Sequence, residues 1–282
     1  MKITSYLTAA ILCFLASFSS NLIADGNIEV TVRRGDLRIQ GGRALGQALW
    51  VKQTAVPGRY LLATNGSTTL NGLATLTVDG ITGDVDIRLR ADQSVVIMTD
   101  DAEPRLTIQG DLSINLASRT SAILLLDAVD VYGSSRITTG NGQDALLAGR
   151  NWFRNGARVR MGGGDDVYYG YQSSSGYTNI DMGSDNDILM SNGEGINLAD
   201  FNMGSGDDLL AVDSSLDFAE IDGGSGLDAV LFDGGGLVDL TSNRRFEVPF
   251  SGTLNDAAEI AYYGSRAYAD AFMIWIFAGL DL

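Results

Sequence analysis

The chain of 282 residues contains no histidine, a single cysteine and only three prolines. The missing histidine removes imidazole acid–base chemistry, imidazole metal ligation and any Ser-His-Asp or Cys-His mechanism. One cysteine, Cys13, excludes an intramolecular disulfide. Without thiol pairs or imidazole, zinc and copper are disfavoured and oxygen is the remaining donor for a metal ion. Long apolar runs are scarce too: the stretch from Tyr6 to Phe18 is the candidate, and at about 13 residues it falls short of the ~20 that a membrane-spanning helix needs. Basic residues vanish where acids concentrate. Between Met161 and Leu240 there are sixteen Asp and Glu and no Lys or Arg, within a formal net charge of -16. Such a surface repels nucleic acid and anionic lipid and attracts cations.

What is present starts with MKITSYLTAAILCFLASFSSNLIADG. Lys2, the apolar run and the small polar residues before Ala24 and Asp25 read as a secretory signal peptide over residues 1–24. The expected mature protein is secreted, extracellular or on the cell surface, has no cysteine and no membrane span, and carries a charge of about -17 once Lys2 is gone. Leu12 before Cys13 argues against lipid attachment at that cysteine. An exported chain without disulfides must stabilise itself by core burial, a bound ion, or both.

Glycine is abundant at 35 residues, about 12% against a norm near 7%, so tight turns or close backbone approaches are expected. Many of them fall in a repeat. The segments GNGQDALL, GGGDDVYY, GSDNDILM, GSGDDLLA and GSGLDAVL begin at Gly140, Gly162, Gly183, Gly204 and Gly224. All five carry Asp at the fifth position and Leu146, Tyr168, Leu189, Leu210 or Val230 at the seventh. A spacing of about 21 residues suits one turn of a solenoid built from short strands, with the motifs in one column and the seventh position facing inward. Two weaker segments precede them, GDVDIRLR from Gly83 and GDLSINLAS from Gly110. In their turns Arg90 and Ala117 replace glycine, and Ser94 and Ser121 replace the aspartate.

The expected fold is all-β: a right-handed parallel β-helix or β-roll-like solenoid of about 21 residues per coil. Residues 25–76 read as N-terminal strands and a cap, 77–240 as the solenoid with its ion-type turns at 139–230, and 241–282 as a C-terminal cap. DAAE from Asp256 to Glu259 is a capping box that opens a helix through about Tyr268, and Phe272 to Phe277 covers the last coil.

The five segments resemble the hemolysin-type, or RTX, calcium-binding repeat G-G-x-G-x-D-x-U-x. The resemblance implies Ca2+ held by turn carbonyls and aspartates between stacked turns. Carried over by motif position, the site residues are Gly140, Gly142 and Asp144; Gly162, Gly164 and Asp166; Gly183, Asp185 and Asp187; Gly204, Gly206 and Asp208; and Gly224, Gly226 and Asp228. That family sets its nonapeptides in tandem, two to a turn, whereas here one copy appears per turn, so calcium would line one edge. Calcium takes six to eight oxygens from carboxylates and carbonyls, which acidic glycine turns supply. The plainer alternative is that glycine and aspartate only form turns.

The expected function is that of a calcium-binding structural or cell-surface protein without catalysis. A carbohydrate-active or carbohydrate-binding β-helix is the alternative, and extracellular polysaccharide or a surface protein are the candidate partners. Tyr168, Tyr169, Tyr171 and Tyr177 are candidates for stacking on sugar. Asp165–Asp166 and Asp207–Asp208 are paired acids of the kind glycosidases use, although their place inside the motif favours ligation. Arg150, Arg154, Arg158 and Arg160 read as a counterweight to nearby acids.

Overall fold

A computed structural model describes residues 26–99, 105–117, 119–171, 173–192, 197–213, 217–233 and 248–251. These form 25 strands and, among the described residues, no helix. The segment 1–24, the helix expected from Asp256 and the Phe272–Phe277 run lie outside the described residues.

The first six strands are β1 (Asn27–Arg33), β2 (Asp36–Gly41), β3 (Gly46–Gln53), β4 (Tyr60–Thr64), β5 (Thr69–Leu70) and β6 (Thr75–Val78). The chain then visits three sheets in rotation. One round is β7 (Val85–Leu89), β8 (Gln93–Thr99) and β9 (Leu106–Ile108), and the next is β10 (Leu112–Leu116), β11 (Ser121–Asp127) and β12 (Val129–Val131). The third is β13 (Ser135–Thr138), β14 (Ala145–Gly149) and β15 (Trp152–Phe153), and the fourth is β16 (Ala157–Gly163), β17 (Val167–Tyr171) and β18 (Ser174–Ser175). After it the described residues show two stations: β19 (Thr178–Ser184), β20 (Ile188–Asn192), β21 (Asn197–Asn202), β22 (Leu209–Asp213), β23 (Asp217–Asp222) and β24 (Ala229–Asp233), with β25 (Val248–Ser251) beside β24.

The result is a 10-stranded sheet, an 11-stranded sheet and a 4-stranded sheet, all open. From β7 onward every pairing is parallel, and β2 and β3 already pair in parallel with β7 and β8. Parallel stacking therefore starts at Asp36, one row ahead of the segment from Gly83. Antiparallel strands sit at the N-terminal ends of both large sheets, β1 on β2 and β4 on β3. The outer edge of β1 is partly satisfied by Asn71, whose amide accepts from Val30 N at 2.9 Å and donates to Val30 O at 2.8 Å. Filling an edge in this way removes a template for unwanted pairing.

Register follows hydrophobic identity. In the 10-stranded sheet Ile39, Ile87, Ile114, Ile137, Val159, Ile180, Phe201 and Ile221 pair in succession, and all are buried. The 11-stranded sheet answers with Leu49, Val96, Leu124, Leu146, Tyr168, Leu189, Leu210 and Val230. Both columns belong to one core. A one-residue slip would turn each strand inside out, as the alternating burial of Ala157–Gly163 makes plain. Each of these large side chains contributes about 1.5–3 kcal/mol by leaving water.

Candidate metal-binding corner

The five glycine-aspartate turns join strands of the 10-stranded sheet to strands of the 11-stranded sheet, and pairing stacks them in register. Gly162 lies beside Gly183, Ser184 bridges to Ser205, and Ser205 to Ser225. Gly162, Gly164, Gly183, Gly204, Gly206, Gly224 and Gly226 have positive φ. Space matters as much as φ here: a Cβ on Gly183, Gly204 or Gly224 would overlap the carbonyl oxygen of the first glycine one turn back. In the first turn Gly140 and Gly142 do not take positive φ. At the third position of the GSDNDILM turn, Asp185 adopts φ 81, and its carboxylate accepts from Gly164 N at 3.0 Å.

The fifth-position aspartates form an inner ladder. Oδ1 of Asp144 accepts from Ala122 N at 2.5 Å, Asp166 from Asp144 N at 2.7 Å, Asp187 from Asp166 N at 2.8 Å, Asp208 from Asp187 N at 2.8 Å and Asp228 from Asp208 N at 3.1 Å. Each carboxylate thus reaches one turn back, and each is at most 3% exposed. Asp144 uses its second oxygen as well, accepting from Gly140 N at 2.8 Å. The Oδ2 atoms of Asp166, Asp187 and Asp208 are buried and have no hydrogen-bond partner among the described residues.

An unsatisfied carboxylate oxygen in a dry site is costly. The consequence is visible in the acidities. Burial pushes the Asp166 carboxyl up to about 9, aided by the charges of Asp144, Asp187 and Asp165 and opposed by the hydrogen bond from Asp144 N. Asp187 is raised to about 9, again by burial first and then by Asp208, Asp165 and Asp185. Asp208 is raised to about 7 for the same leading reason. Either a proton or a cation must accompany these groups near neutral pH.

The fourth-position residues form a second, outer ladder that runs the other way. Oδ1 of Asp165 accepts from Asn186 N at 3.0 Å, Asn186 Oδ1 from Asp207 N at 2.8 Å and Asp207 Oδ1 from Leu227 N at 2.9 Å. Adjacent residues in extended chain face opposite ways, so the two acids of Asp165–Asp166 and of Asp207–Asp208 serve different ladders.

Among the described residues no three acidic side chains come close enough to hold a metal by carboxylates alone. An ion here would combine one or two aspartate oxygens with backbone carbonyls, a mixture that suits calcium. Glycine clearance and the Oδ1 ladder are explained by stacking itself. The orphaned Oδ2 atoms are not, and they are the feature that fits an ion.

Upstream, the same column holds Gln47, Ser94 and Ala122. Ser94 stands where the sequence spacing put it, but the second substitute is Ala122 rather than Ser121, which pairs with Gln93. The 27-residue interval between Val85 and its partner Leu112 is longer than later ones and hides this slip. A separate ladder, missed from sequence, runs along the corner that precedes the 10-stranded sheet: Oδ1 of Asp36 accepts from Asp84 N at 3.0 Å, Asp84 from Asp111 N at 2.8 Å and Asp111 from Ser134 N at 2.8 Å. The repeated Gly-Asp openings were its signal.

The tyrosine group does not form a sugar platform: Tyr168 and Tyr169 are each 5% exposed, Tyr168 packing into the core and its neighbour Tyr169 lying buried on the opposite face of β17. Tyr177 is exposed and donates to Asp200; the side chain of Tyr171 lies outside the described residues. The arginines do meet acids: Arg150 pairs with Asp127, and Arg154 with Asp130 at 3.1 Å while stacking on Tyr132 and Trp152. Arg160 lies 4.0 Å from Asp181, and Arg158 donates to Asn179 at 3.3 Å. No family model matches this chain, and no curated protein or solved structure is similar enough to it to count as a match.

Proposed function

We propose that this chain is a secreted, calcium-stabilised parallel β-solenoid that serves a structural or cell-surface role without catalysis. Under this reading each coil of about 21 residues contributes one glycine-aspartate turn, and calcium ions lie between successive turns at one corner. The observation that carries it is the run of buried, unpartnered Oδ2 atoms on Asp166, Asp187 and Asp208. They recur once per coil, roughly 4.8 Å apart, and a divalent cation between them would replace both the missing hydrogen bonds and the mutual repulsion. Gly162, Gly164, Gly183, Gly204, Gly206, Gly224 and Gly226 are the residues whose turns would present carbonyls, with Asp144 and Asp228 at the two ends. Extracellular calcium modules bind with Kd of about 10⁻⁴ to 10⁻³ M, so such a corner fills outside the cell and stays empty inside it.

The test is calcium titration of the mature protein by calorimetry, with melting curves in calcium and in chelator. Binding together with a raised Tm supports the reading. A Tm identical in both conditions reduces the aspartate column to a hydrogen-bond ladder.

A further inference from the structure

The corner that carries aspartates in the later coils carries arginines in the earlier ones. Three consecutive rows turn there between β2 and β3, between β7 and β8, and between β10 and β11. Arg43, Arg90 and Arg119 project from these turns into one open cavity of about 630 Å³, together with Ala44, Leu45 and Ala117 and a single acid, Asp92. None of the three arginines forms an ion pair among the described residues, whereas Arg150 and Arg154 further along do. Their turns are tied together by backbone, Asp92 N donating to Ala44 O at 2.9 Å and Thr120 N to Asp92 O at 3.1 Å.

We infer that this cavity binds an acidic saccharide chain through its carboxylate or sulfate groups. Three features select that chemistry. Three guanidiniums without an ion pair among the described residues share one concavity and repel one another, and each presents a donor fork shaped for an oxyanion. Arg43 and Arg90 stand in register, three residues before the paired Gly46 and Gln93, and Arg119 belongs to the next row, so the three charges are spread over successive rows and suit several anionic groups carried along one sugar chain better than a lone inorganic ion. Ala44 and the exposed Leu45 and Ala117, which line the same cavity, offer apolar contact for the C–H face of a ring, in a volume within the roughly 300–1,000 Å³ span of organic-ligand sites. Any long polyanion, nucleic acid included, would run on into the acid-rich coils of the same edge and be repelled, which confines the ligand to a short acidic saccharide or a chain end.

The inference does not depend on calcium at the neighbouring turns. It is tested by calorimetry on the full mature protein with a uronic acid hexamer, a neutral glucose hexamer, and inorganic sulfate and phosphate as probes. The uronate should bind, the neutral hexamer should not, and rising salt should weaken the complex. The Arg43→Gln/Arg90→Gln/Arg119→Gln variant should lose about tenfold or more in affinity at unchanged Tm, since all three side chains are exposed. Asp92→Asn should tighten binding several-fold, a gain that misfolding cannot produce. Undiminished binding by the triple variant overturns the inference. So does sulfate or phosphate binding as tightly as the hexamer, which would mark a simple oxyanion site. Low-salt self-association that the triple variant abolishes, without uronate binding, would overturn it too by assigning the cavity to the acidic edge of a second copy.

Discussion

Two corners of this protein carry the same hydrogen-bonding device in different surroundings. At the corner of Asp36, Asp84 and Asp111 each carboxylate accepts from the backbone of the next row, and all three side chains are exposed. At the corner of Asp166, Asp187 and Asp208 each accepts from the previous row, and all three are buried. In the first case water reaches the second oxygen, and the ladder is complete as it stands. In the second, that oxygen has neither water nor protein partner. An aspartate ladder therefore does not by itself imply a metal. Burial of the oxygen left over from the ladder is what sets the second corner apart, because that oxygen calls for either a proton or a cation.

The largest difference between the corners should appear on removing calcium. At a free concentration of 100 times Kd, ligand linkage contributes about 2.7 kcal/mol per site, which for a chain of this size is a Tm change on the order of 5–10 °C. Asp166→Asn with Asp208→Asn keeps the Oδ1 acceptors and removes the charge, so differential scanning calorimetry should show most of the calcium increment gone. Ser94→Ala, in the same column but upstream, should leave it intact.

Glycine substitution sharpens the comparison from the backbone side. Gly206→Ala meets φ 138 and the Asp185 carbonyl, and should cost about 1–3 kcal/mol whether or not calcium is present. Gly42, with open space around it and no positive φ, should accept alanine without a measurable Tm change.

A pH series separates the corners next. Asp166 and Asp187 at about 9 and Asp208 at about 7 all lie above an ordinary carboxyl at 3.8. A raised folded-state pKa means that the folded form holds the extra protons, so the stability is fully present below about pH 4 and is lost as pH rises through 7 to 9. Chelated protein should therefore melt progressively lower from pH 5 to pH 9, and the rise in Tm given by calcium should grow over the same window. A flat chelated profile would refute the burial of these groups. The smallest effect is expected at the exposed corner, where Asp84→Asn keeps an acceptor for Asp111 N and should shift stability by less than about 0.5 kcal/mol, with no calcium dependence.

Much of the buried corner is legible in the amino-acid sequence. Repeat spacings of 22, 21, 21 and 20 residues reappear as the separations of the ladder partners. The seventh-position residues Leu146 to Val230 are buried because a parallel wall fixes which alternate residues face in. The assignment of Ser121 failed for a local reason: rows of unequal length shift the turn by one residue, and only backbone pairing reveals it. The tyrosines misled because strand propensity and ligand stacking favour the same side chain. The arginine cavity stayed hidden, since Arg43, Arg90 and Arg119 are separated by 47 and 29 positions and share no motif.

By itself the sequence determined the period, the turn residues and the alternation that makes the chain all-β. These are local matters, set by backbone freedom at glycine and by the two-residue pleat. Tertiary structure alone decided which carboxylate oxygens water can reach and which charges from distant turns face one cavity. Solvation and electrostatics depend on everything within a few ångströms in space, and in this chain those neighbours stand twenty or more residues apart.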